Sequence, residues 1–104
     1  MSGMAKKSRR TLSAELYEKA TIAAGLKFEE GEFIRESGEV LGRYQAIHIP
    51  LQCAVEYEDE LIDEVLIFGD GCVELHDCNS QDAYNWDDYP NEVLSGVVDN
   101  IIIN

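Results

Sequence analysis

After Arg43 the chain contains no lysine or arginine. Residues 44–104 carry 14 Asp and Glu residues, and their only basic side chains are His48 and His76. A segment so short of cations cannot neutralise phosphates, so direct nucleic-acid binding by the acidic domain is excluded, and an anionic membrane surface repels it. No stretch approaches the roughly 18 apolar residues of a membrane span, and the N-terminus lacks the apolar run of a secretory leader. Cysteine is scarce and odd in number, at Cys53, Cys72 and Cys78, which reads as reduced thiols in a cytoplasmic protein. There is no Gly-rich phosphate loop and no nucleophile–base spacing, so no enzyme is expected.

Metals and cofactors are likewise not expected. Cys72 and His76 would stand about 13 Å apart on a regular strand, too far for one zinc. The run from Asp77 to Asp88 has the oxygen spacing of a calcium loop. However, it puts Asp82 where that loop needs glycine, and it ends in Asp where a bidentate Glu is required.

What is present is acid, unevenly placed. The 104 residues have a net charge of −13, yet residues 1–10 contribute four bases and no acids. That is well beyond the charge of about 2–8 that keeps a small domain soluble. Exposed carboxylates about 4 Å apart repel by about 1 kcal/mol in water. The length supports one domain with a single core. Residues 1–10 read as a flexible basic arm, with residues 1–3 an expression remnant ahead of Met4, and residues 11–104 as the domain.

Local patterns predict an α+β fold: an N-terminal helix, an antiparallel sheet of about four strands and a C-terminal helix. TLSAELYEKATIAAGL has Leu12, Leu16, Ala20 and Ala23 on one stripe, with Thr11 or Ser13 as cap and Gly25 as exit. Ser37-Gly38 reads as a hairpin turn. From Ala46 to Glu58, alternation places Ile47, Ile49, Leu51, Cys53, Val55 and Tyr57 on one face, and Pro50 marks an edge strand or a bulge. Asp70-Gly71 is a second turn signal, CNSQDAYNWDDYP reads as loop, and the Val/Ile pairs after Pro90 read as the closing helix.

Two stretches stand out as partner-binding candidates. EYEDELIDE places Glu56, Glu58, Asp59, Glu60, Asp63 and Glu64 around one expected hairpin, a two-row negative ridge. DAYNWDDYPNE interleaves Tyr84 and Tyr89 with Asp82, Asp87, Asp88 and Glu92. Trp86 is expected in the core and at least one tyrosine at the surface. Arginine binds carboxylate and phosphate through the same fork, so such a ridge can occupy a surface built for nucleic acid.

In size, acidity and α+β layout the chain is similar to two classes of small proteins. One is the phage anti-CRISPR and antirestriction proteins that mimic DNA; the other is the immunity proteins and antitoxins that cap basic nucleases. The resemblance implies a non-enzymatic inhibitor whose partner is a basic nucleic-acid-binding protein: a CRISPR effector, a restriction enzyme or a nuclease toxin. It carries no site residue by residue. A self-associating structural or adaptor protein, joined through the apolar C-terminal segment, is the third reading.

Overall fold

The computed structural model describes residues 8–103, so most of the expected basic arm lies outside the described residues. Helix α1 spans Arg9–Ala24. It starts earlier than the sequence suggested because Ser8, not Thr11 or Ser13, is the cap. The Ser8 backbone is extended and its hydroxyl accepts from the Thr11 amide at 3.1 Å. Arg9 and Arg10 therefore belong to the helix. Gly25 ends it in the left-handed region at φ 70°, as the sequence predicts. Leu12, Leu16 and Ala20 form the buried stripe, with Ala23 packed at its margin.

Next comes a two-stranded hairpin, β1 (Lys27–Glu29) and β2 (Glu32–Ile34), turning at Glu30 and Gly31. Only the Ser37-Gly38 turn is expected in this segment, so the Glu30-Gly31 turn is an addition. The Ser37-Gly38 turn is present and is closed by a single bridge between Ile34 and Val40. Phe33 is fully buried, and Phe28 stacks on Tyr17 of α1 with ring centroids 5.7 Å apart.

The main sheet is antiparallel in the order β3 (Ala46–Tyr57), β4 (Glu60–Phe68), β5 (Val73–Asp77), β6 (Ala83–Asn85). Its fourth strand lies in the segment expected to be loop. Three residues are too few to show a period, and Ala83 and Asn85 are both exposed. A 3-10 turn at Trp86–Asp88 follows, then helix α2 (Asn91–Asp99) after Pro90. Both helices contact β3 and each other, and Lys19 Nζ donates to the Val98 carbonyl at 3.0 Å near the C-terminus of α2. One core joins Leu12, Leu16, Leu94, Val97 and Val98 to the inward face of the sheet. Among the described residues, no helix is long and apolar enough to cross a membrane.

A bulge organises the sheet. Between Pro50↔Glu64 and Val55↔Ile62, the residues Leu51, Gln52, Cys53 and Ala54 lie opposite Asp63 alone. Asp63 is also the extra residue where β4 meets β5. An extra residue reverses which way the following side chains point. That is how Ile62, Val65 and Ile67 are all fully buried although Ile62 breaks the alternation. It is also why Cys53 is exposed, contrary to the strict alternation read from Ala46 to Glu58. The C-terminal tail fills the gap: Ile101 bridges Leu51, and the Gln52 amide donates to the Asn100 carbonyl at 2.7 Å.

The Asp70-Gly71 turn joins β4 to β5, with the Gly71 amide donating to the Phe68 carbonyl at 2.9 Å. Just before it, a Cβ on Gly69 would sit 2.1 Å from the Gly42 carbonyl oxygen. That neighbour is backbone and has no rotamer through which to move away. Gly69→Ala is therefore expected to cost about 3 kcal/mol in urea denaturation. A cost under about 0.5 kcal/mol would show that the 42–45 turn yields freely.

Candidate partner-binding surface

The nine residues of EYEDELIDE form the β3–β4 hairpin, but their six carboxylates divide into two groups. Tyr57 pairs with Glu60 across the turn, and Glu56 pairs with Leu61. Glu58 and Asp59 are the turn residues, and both are exposed, as is Glu56. Glu58 has φ 54°, a left-handed conformation that a hairpin turn usually gives to glycine or asparagine. No hydrogen bond or ion pair from these three side chains is found among the described residues. The tip extends past the last β4–β5 pair, Ile62↔Asp77.

The other three acids are engaged at the base. Glu60 turns toward the core and accepts a hydrogen bond from the Tyr89 hydroxyl. Bulged Asp63 accepts from His76 Nδ1 at 2.9 Å, and Glu64 lies 3.2 Å from His48 Nδ1 on the sheet's outward face. The sequence hid both pairs, because they depend on a strand register that the bulge sets. Hydrogen bonding to Asp63 is the main cause of a raised His76 pKa. Partial burial opposes it, and the charges of Asp63, Glu64 and Asp77 add to it.

Asp77 is the one buried charged residue among those described, and it has a structural job. Its Oδ1 accepts from the Leu61 amide at 3.1 Å and the Asn79 amide at 2.9 Å, and its Oδ2 accepts from the Ser80 hydroxyl at 3.1 Å. The Leu61 amide is the largest of the effects that hold its pKa below the usual carboxylate value. Asp77 thus ties the turn after β5 to the base of the acidic hairpin.

The second acidic stretch meets the hairpin through Tyr89. This residue was expected to be a surface contact, but it is only 3% exposed. Its ring packs edge-on against Tyr57 with centroids 5.5 Å apart, and burial together with the Glu60 bond pushes its pKa up strongly. Arg9 holds the same loop from the other side, donating to the Tyr89 carbonyl at 2.6 Å and the Asp87 carbonyl at 3.0 Å. Asp82, Asp87 and Asp88 are exposed, Tyr84 is half-buried on β6, and exposed Glu92 sits in the first turn of α2, where the helix dipole favours an acid. Trp86 is buried as expected, but its Nε1–H lacks an acceptor among the described residues, a defect that costs about 1–3 kcal/mol in a protein interior.

The hairpin tip and the Asp87–Asp88 loop are therefore neighbours, joined through Tyr89. Of the twelve expected contact residues, Glu56, Glu58, Asp59, Asp82, Asp87, Asp88 and Glu92 are exposed and Tyr84 is partly so. Glu60, Asp63, Glu64 and Tyr89 are instead bonded to other side chains of the chain. Among the described residues, no cluster of three or more His, Cys, Asp or Glu side chains is arranged to hold a metal ion.

The His76–Asp63 pair sets a pH dependence. A raised folded-state pKa contributes stability that is fully present below about pH 6.5, the unfolded value, and is lost as pH rises through the folded value. Asp63→Asn is expected to lower the His76 pKa measured by NMR titration, and to remove the part of the stability that fades as pH rises above about 6.5. An unchanged His76 titration would show that the pair does not form in solution. No protein-family model matches this chain, and no curated protein or solved structure matches it either.

Proposed function

We propose that this protein is a non-enzymatic inhibitor that occupies the basic nucleic-acid-binding surface of another protein, in the manner of the DNA-mimicking proteins its size and acidity resemble. One observation carries the reading. The acids of one short hairpin are sorted: those at its base are bonded within the chain, and Glu56, Glu58 and Asp59 at its tip are not. A fold that needed the hairpin only for packing has no use for uncompensated carboxylates there, one of them on a left-handed residue. Asp87 and Asp88 widen the negative surface across the Tyr89 contact.

The mechanism is competition. Carboxylates held on a rigid hairpin meet the arginines and lysines that would otherwise hold phosphates. Charge of this density speeds encounter with a basic surface, and binding weakens steeply as salt rises. The partner class this chemistry fits is a CRISPR effector or a restriction enzyme. A nuclease toxin presents the same basic surface, and its capture would turn the reading toward an immunity protein.

The test compares the protein with its Glu56→Gln, Glu58→Gln, Asp59→Asn variant. Both are immobilised, exposed to bacterial lysate and eluted first with duplex DNA and then with salt steps. The expected result is a basic nucleic-acid enzyme retained by the native protein, released by DNA, and retained at least tenfold less by the variant. Identical eluates from the two columns would contradict the reading.

A further inference from the structure

Strand β4 has an extra residue relative to both of its neighbours. The pairs Ile62↔Asp77 and Glu64↔His76 leave Asp63 over on the β5 side, and toward β3 it stands alone opposite residues 51–54. Two consecutive residues of β4, Asp63 and Glu64, therefore face the single residue His76, the two-against-one count of a β-bulge. Asp63 meets the His76 ring at 2.9 Å, and Glu64 is its cross-strand partner. From the other side His48 of β3 reaches Glu64 at 3.2 Å.

The result is a row of imidazole and carboxylate across three strands, on the sheet face turned away from the helices. Its members are partly exposed, from 30% for the His76 side chain to 58% for His48, so solvent protons reach them. The elements around the row are poor in competing charge. His48 shares a small apolar cavity with Ala23 and Ala24 of α1 and with Ile102 of the tail, and β6 sets Ala83 opposite His76. The further titratable groups nearby are Glu74 and Asp77 on β5 and the Cys53 thiol in the β3 bulge.

We propose that His76 is a pH-sensitive latch on this bulge: its imidazolium holds Asp63 and Glu64 side by side, and loss of its proton lets the hairpin beyond the bulge open from the turn after β5. A neutral imidazole can still donate from Nδ1 to Asp63, but the charge that offsets the second carboxylate is gone. The distal hairpin is hinged close to this junction. Leu61, two residues before Asp63, donates its amide to Asp77 and receives the Cys78 amide on its carbonyl. The other groups that hold the hairpin titrate away from neutrality, since amide bonds keep the Asp77 carboxyl below its usual range and burial pushes the Tyr89 hydroxyl up. The bond to Asp63 raises the His76 pKa, so the latch is closed below about pH 6.5 and released as pH rises through the folded value. It belongs to the hairpin itself and does not depend on what the tip binds.

The experiment measures amide hydrogen-exchange protection in the full chain by NMR, corrected for the intrinsic exchange rate, at about pH 6 and about pH 8. The Leu61 and Cys78 amides are expected to open locally, with protection about tenfold or more below that of Val65 in the centre of the sheet. Between the two pH values they are expected to lose a further threefold or so. His76→Gln keeps a side-chain donor but does not titrate, and it is expected to give Leu61 the same protection at both pH values. His48→Gln is expected to keep the native response. Leu61 protection that does not change with pH, a response that survives in His76→Gln, or Leu61 protection equal to that of Val65 would each overturn the latch. Loss of the response in His48→Gln alone would overturn the choice of His76.

Discussion

Three parts of the chain meet at Tyr89. Its ring lies against Tyr57 of β3, its hydroxyl bonds Glu60 at the start of β4, and its carbonyl receives the Arg9 guanidinium from α1. Without that residue the end of the β3–β4 hairpin, which runs past the last β4–β5 pair as two strands, would lose its side-chain tie to the 3-10 loop, and two-stranded ribbons are marginal in water. The Asp77 carboxylate secures the same base through the Leu61 amide. The hairpin is therefore held from both sides, and its tip is free to present charge without having to hold itself in shape.

This arrangement explains how so acidic a chain folds. Repulsion among exposed carboxylates is weak in water and screened over about 8 Å in physiological salt. The acids nearest the core each meet a donor: Glu60 meets a tyrosine, Asp63 and Glu64 each meet a histidine, and Asp77 meets two amides and a hydroxyl. Only outlying acids are left to solvent or to a partner. The asymmetry of the sequence, with its bases confined to the first 43 residues, is partly corrected in space because Arg9 and Lys19 of α1 reach the loop and helix of the second half.

Much of the fold could be read from local pattern. The α1 stripe, the Gly25 exit, the Asp70-Gly71 turn, the helix after Pro90 and the burial of Trp86 all follow from periodicity and turn chemistry. What could not be read depends on register and on long-range contacts. The bulge around Asp63 moves Cys53 to solvent and creates the histidine pairs, and nothing in the residues near it announces a shift. The strand Ala83–Asn85 exists because β5 offers a free edge, not because AYN prefers to be extended. Tyr89 resembled a surface aromatic among acids and proved to be the join between elements.

The central claim is that the hairpin's acids are divided between holding the fold and facing outward. Urea denaturation of two triple variants, at low and high salt, tests it most directly: Glu56, Glu58 and Asp59 to alanine, against Glu60, Asp63 and Glu64 to alanine. The tip set is expected to stay within about 0.5 kcal/mol of the native protein or to exceed it, with any gain fading as salt rises. The base set is expected to lose at least about 1 kcal/mol at both salt concentrations. A tip set that loses as much as the base set would mean that those carboxylates support the fold, and the division would not exist.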